Sequence, residues 1–106
     1  MPCQRILPSA SIAAHTASNR RFVALAVQGR RQQTARFLQY GEWAVEAGMD
    51  VGADPALMAD IAGHLHTAVT NLVADMRRDL DDAGLEPDDA EIDMTNLSIL
   101  LGEIGK

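Results

Sequence analysis

The segment Asp54–Pro87, DPALMADIAGHLHTAVTNLVADMRRDLDDAGLEP, decides the fold because it holds both ends of a helix and a core stripe between them. Asp54 is a strong N-cap residue, and Pro55 suits the first helical position, where a missing N–H costs nothing. Ile61, Leu65, Ala68, Leu72, Met76, Leu80 and Ala83 then follow one another by three or four residues, which puts them on one side of a helix. Gly84 supplies a left-handed terminus, Leu85 an apolar residue that packs back, and Pro87 a block to continuation. The pattern predicts a helix over 55–83.

Upstream, Ser18 or Asn19 can cap a helix over 18–48, with Gly48 and the Asp50–Ala53 stretch as its stop. This helix has two apolar stripes, one of Phe22, Ala26, Gly29, Phe37, Tyr40, Ala44 and Ala47, the other of Val23, Val27, Thr34, Leu38, Val45 and Met49. Downstream, Glu86–Asp93 is an acidic connector, and Thr95 or Asn96 can cap a helix over 95–104 whose Leu97, Leu100, Leu101 and Ile104 share a face. One partner helix cannot cover two stripes, and the last helix is too short to cover the remainder. The expectation is therefore an all-α fold: a long antiparallel helical hairpin plus a short C-terminal helix, completed as a four-helix-bundle-like homodimer through Val23, Val27, Leu38 and Val45. Residues 1–17, with Pro2 and Pro8, read as a loose arm preceding one helical domain over 18–106. The acid-free, Arg-, Ser- and Ala-rich composition of 1–36 is also that of an organellar transit peptide, although cleavage there would sacrifice the helix beginning near Ser18.

The 106 residues are 47% hydrophobic with four aromatics, Phe22, Phe37, Tyr40 and Trp43, so the core must be mostly aliphatic. Cys3 is the sole cysteine, which excludes an internal disulfide and a Cys-rich zinc site and suits a reducing cytoplasm. The apolar run at Val23–Val27 is far short of the roughly 18 residues a membrane span needs.

Charge is strongly polarised. Residues 1–41 contain no acid and six arginines, and all 15 carboxylates follow, leaving a net charge of −6. Arg30, Arg31 and Arg36, interspersed with Gln32, Gln33 and Thr34, carry donors for phosphate or carboxylate oxygens, but on a helix they point in different directions. Asp75–Asp93 concentrates acids, including Asp79, Asp81, Asp82, Asp88 and Asp89, in a form suited to a basic partner. A hairpin turning at 49–53 sets Arg20 and Arg21 against Asp81 and Asp82, and places Arg30, Arg31 and Arg36 opposite Leu72, Asn71 and His66. Three arginines without an intramolecular carboxylate and a connector without a base are thus the expected partner-binding surfaces.

Catalytic, cofactor and metal chemistry find no support in the pattern. Asp79, Asp81 and Gly84 could open an EF-hand loop, but Ala83 and Ala90 stand where its fifth and twelfth ligands belong. His64 and His66 lie on different sides of a helix, and Asp60 with His64 makes only half a metal site. The run Gly63-His64-Leu65-His66-Thr67-Ala68-Val69 loosely resembles the phosphoacceptor helix of sensor kinases, without that family's His-Glu-Leu-Arg-Thr-Pro motif, and implies a histidine phosphotransfer hairpin. Ile61–Leu65, Val69-Thr70 and Leu80–Leu85 resemble pieces of a winged-helix regulator, which implies DNA binding through a turn between Leu65 and Val69, but the spacings depart from that family's. The hairpin outline resembles small Trp-X-Gly secreted proteins, but Val45 stands where their glycine would follow Trp43. The functional expectation is a small non-enzymatic interaction or regulatory protein acting through charged helix faces; the alternatives are a DNA-binding regulator and a phosphotransfer hairpin.

Overall fold

The structure, a computed structural model, describes residues 9–104 of the chain, with the side chains of 17–104. Its elements are α1 (Ser9–Asp50), α2 (Pro55–Asp82), a 3-10 turn (Pro87–Ala90) and α3 (Thr95–Ile104). Among the described residues the fold is all-α without a strand, and α1 and α2 pack along each other as the expected hairpin.

α1 begins nine positions before Ser18. Ser9–Ala17 contains four alanines and neither glycine nor proline, so each added residue gains a backbone hydrogen bond at little entropic cost. The arm expected over 1–17 is therefore helix from Ser9 onward, and residues 1–8 lie outside the described residues.

Both long helices end in the same way. At α1 the Ala53 N–H donates to the Gly48 carbonyl at 2.9 Å and the Gly52 N–H to Met49 at 3.1 Å, with Gly52 at φ +74°. At α2 the Leu85 N–H donates to Leu80 at 2.8 Å and the Gly84 N–H to Asp81 at 3.0 Å, with Gly84 at φ +72°. This paired 6→1 and 5→2 bonding satisfies carbonyls that a helix end leaves free. Gly52 is thus the terminator of α1, whereas Gly48 remains helical and serves packing: a Cβ there would collide with the Met58 thioether. Asp54 caps α2 as expected, its carboxylate accepting the Ala56 N–H at 3.1 Å with Pro55 opening the helix. α3 is held at its start by Asp93, whose carboxylate accepts the Thr95 N–H at 2.9 Å; neither Thr95 nor Asn96 is the capping acceptor.

The core corrects the expected use of the two α1 stripes. Val27, Leu38 and Val45 are buried within the single chain, with Val23 and Met49 packed against them, so the residues expected to meet a second subunit instead close the intramolecular core. Glycines explain the choice, because Gly41 and Gly48 flank this stripe and let α2 approach; a Cβ at Gly41 would stand 2.5 Å from the Leu65 methyl. Buried Thr34 is tolerated because its hydroxyl donates to the Arg30 carbonyl at 2.7 Å.

On α2 the buried residues are Met58, Ala62, Leu65, Val69, Val73, Met76 and Leu80. Ile61 and Leu72, expected in the core, are exposed. The stripe is rotated because α2 packs against two neighbours, α1 on one flank and the connector with α3 on the other. Ala90, Leu97 and Leu100 fill the second contact. The result is a rod of 76 × 16 × 16 Å with a radius of gyration of 20.6 Å, against about 13 Å for a globular chain of this length.

Candidate interaction surface

Hairpin packing draws two of the three candidate arginines into the chain itself. Arg30 donates to the Asp79 carboxylate at 2.6 Å, each side chain about half exposed, and Arg31 Nε donates to the Glu91 carbonyl at 2.7 Å. The expected register was short by several residues: Gly41 lies against Leu65 and Gly48 against Met58, so Arg30 meets an acid where Leu72 was anticipated. Neither Arg31 nor Arg36 has a carboxylate partner among the described residues; both line a groove of about 380 Å³ with Glu42, Glu91 and Asp93.

The acidic segment is likewise partly answered. Arg77 approaches Glu91 at 3.9 Å, and Arg78 pairs with Asp75 one turn away. Arg20 lies over the end of α2, its guanidinium 3.2 Å from where a Gly84 Cβ would stand, close to the carbonyl end of the helix dipole. No ion pair joins Arg20 or Arg21 to Asp81 or Asp82 among the described residues. Asp81, Asp82, Asp88 and Asp89 are exposed. Asp93 is held below its ordinary carboxylate pKa, chiefly by the Thr95 hydroxyl and then by the Thr95 N–H.

The surface that sequence reasoning assigned to the core is the one left open. Phe22, Phe37, Tyr40 and Trp43 are 71, 47, 62 and 53% exposed, with Leu25 at 62% and Val51 at 82%. Tyr40 and Trp43 meet edge to face at 5.7 Å, which stiffens the middle of the stripe. Arg31, Leu38 and Glu42 mark the side of α1 turned to the connector, and Gly41 and Gly48 the side turned to α2. At about 100° per residue the aromatic stripe faces a third direction, away from the connector.

α2 adds to the same side. Thr70, Val73, Ala74 and Arg77 line its groove against the connector, so Leu57, Ile61 and Leu72, at 51, 38 and 41% exposure, lie on the opposite flank beside the α1 stripe. The hairpin therefore presents one apolar, aromatic-rich face opposite α3, larger than scattered surface leucines would make. The available signal in the sequence was bulk: aliphatic side chains next to glycines pack tightly between helices, whereas Tyr and Trp carry polar groups that favour a wet edge.

His64, His66 and Asp60 are exposed on α2, and no three His, Cys, Asp or Glu side chains converge to hold a metal among the described residues. α2 runs without a break from Pro55 to Asp82, so the turn that a winged-helix reading places between Leu65 and Val69 is absent. No described helix is long and apolar enough to cross a membrane. No protein-family model, curated protein or solved structure matches the chain.

Proposed function

We propose that this chain is a small non-enzymatic interaction module of the cytoplasm, regulatory in character, that works by presenting the apolar face opposite α3 to a protein partner. The carrying observation is the exposure of Phe37, Tyr40, Trp43, Ile61 and Leu72 on one side of a rigid hairpin. Aromatic side chains at the centre of a patch supply most of the binding energy in typical interfaces, and charged residues around it set orientation. Arg36, exposed next to Phe37, and Asp82, beside Phe22 and Ala26, are placed to do so, whereas Asp88 and Asp89 lie on the connector, away from this face. The pairing of Arg30 with Asp79 favours protein contact over nucleic acid, because it takes up a cation that would otherwise neutralise phosphate.

The test is recovery of partners from host extract on the tagged protein, compared with a Tyr40→Glu/Trp43→Glu variant of equal helicity. A partner lost by at least about tenfold with the variant supports the reading, since a buried carboxylate opposite an apolar surface is strongly unfavourable. Identical recoveries would refute it.

A further inference from the structure

We propose, building on the interaction reading above, that the occupant of the α1 stripe is a second copy of this chain, docked antiparallel about a two-fold axis at the Arg36–Phe37 peptide. A two-fold contact must match a surface to itself, so each stripe position needs a counterpart at the same distance on the other side of the axis. The exposed stripe meets this condition at four pairs of positions, and at the axis Phe37 stands opposite Arg36. Phe22 mirrors Val51, Ala26 mirrors Ala47, Gly29 mirrors Ala44, and Gln33 mirrors Tyr40, all of them on exposed positions. Large side chains thus oppose each other at the ends and again beside the axis, and the small pairs Ala26–Ala47 and Gly29–Ala44 oppose each other between.

Charge selects the same direction. On α1 every described arginine precedes residue 41, and every acid, Glu42, Glu46 and Asp50, follows it. Antiparallel docking brings Arg21 within one turn of Asp50 of the second copy and opposes the two helix dipoles, whereas Glu42, buried toward the connector, and Glu46, which accepts from Asn96, face away from the contact. Packing α1 against α2 of the copy, with both hairpins pointing the same way, would instead press Phe22 and Ala26 onto the level of the carboxylates of Asp75, Asp79 and Asp82. That arrangement buries charge against apolar surface and is disfavoured.

Arg36 distinguishes the two arrangements. Beside the proposed axis it approaches its own copy, so Arg36→Leu should tighten self-association at least severalfold; against α2 of a copy it would lie near Asp75 and the same change would loosen it. Sedimentation equilibrium of the purified full chain should give twice the 11.4 kDa chain mass at tens of micromolar, as expected for about micromolar affinity, and Tyr40→Glu should return it to the single mass at unchanged helicity. In a Cys3→Ser background, Ala26→Cys chains mixed with Ala47→Cys chains should form a disulfide-linked pair, and Ala26→Cys chains alone should not.

A single-chain mass up to about 100 µM, self-linking of Ala26→Cys, or weakening by Arg36→Leu would each overturn the proposal. A protein that stays monomeric yet loses an extract partner on Tyr40→Glu overturns the second copy while leaving the interaction module standing. A monomer that retains no partner removes both.

Discussion

Arg30 and Asp79, 49 positions apart, meet at 2.6 Å across α1 and α2 and fix the register of the hairpin's open end. Both side chains remain about half exposed, so water screens much of the attraction. A double-mutant cycle with Arg30→Ala and Asp79→Ala should give a coupling of about 0.2–1 kcal/mol by denaturant unfolding, smaller at high salt. A coupling above about 2 kcal/mol would mean that the pair is far less hydrated than its geometry indicates.

Two glycines in helix interiors should respond oppositely to alanine. Gly63 has nothing within 4 Å of an added Cβ, so Gly63→Ala should stabilise by about 0.5–1 kcal/mol through backbone entropy alone. At Gly41 the new methyl would press on buried Leu65, and an overpacking cost of about 1–3 kcal/mol should outweigh that gain. Thermal unfolding of the two variants checks the sign of each.

Glu42 is 8% exposed, and its Oε2 is buried without a hydrogen-bond partner. A stranded polar oxygen costs about 1–3 kcal/mol, and the site lies beside apolar Leu38 and Ile92. Glu42→Leu should therefore raise the unfolding free energy by about 1–2 kcal/mol, and a clear loss of stability on denaturant titration would show that the carboxylate is satisfied in solution.

The Asp93 carboxylate is more stable ionised in the folded chain than in the unfolded one. Because its folded pKa is lowered from 3.8, its contribution is complete above that value and is lost as the pH falls below it through the folded pKa. Acid should thus loosen the start of α3 before α2, seen as earlier loss of amide protection at Leu97–Leu100. Asp93→Ala should produce that loosening already at neutral pH.

Much of the fold was legible because helix ends are written in local chemistry. Asp54-Pro55 and Gly84-Leu85 act through bonds spanning a few residues, so their reading needed no knowledge of neighbours. Which α1 stripe faces α2 was not legible, because both have helical spacing and the choice depends on how closely two helices can approach. Gly41 and Gly48 make that choice, through space occupied by Leu65 and Met58 from the other helix. The inversion carried over to the surface: Val23, Val27, Leu38 and Val45 moved inside, and Phe22, Phe37 and Tyr40 became the open face. Arg30 failed for a related reason, since a register error of a few residues along paired helices exchanges Leu72 for Asp79.

The 76 Å length against a 16 Å width has a hydrodynamic consequence. A particle so much longer than wide tumbles slowly about its short axes and experiences more drag than a sphere of equal mass. On a sizing column calibrated with compact standards, one chain would elute earlier than its mass predicts. Stoichiometry for this protein has to come from equilibrium sedimentation or scattered light, where mass is weighed and shape is not.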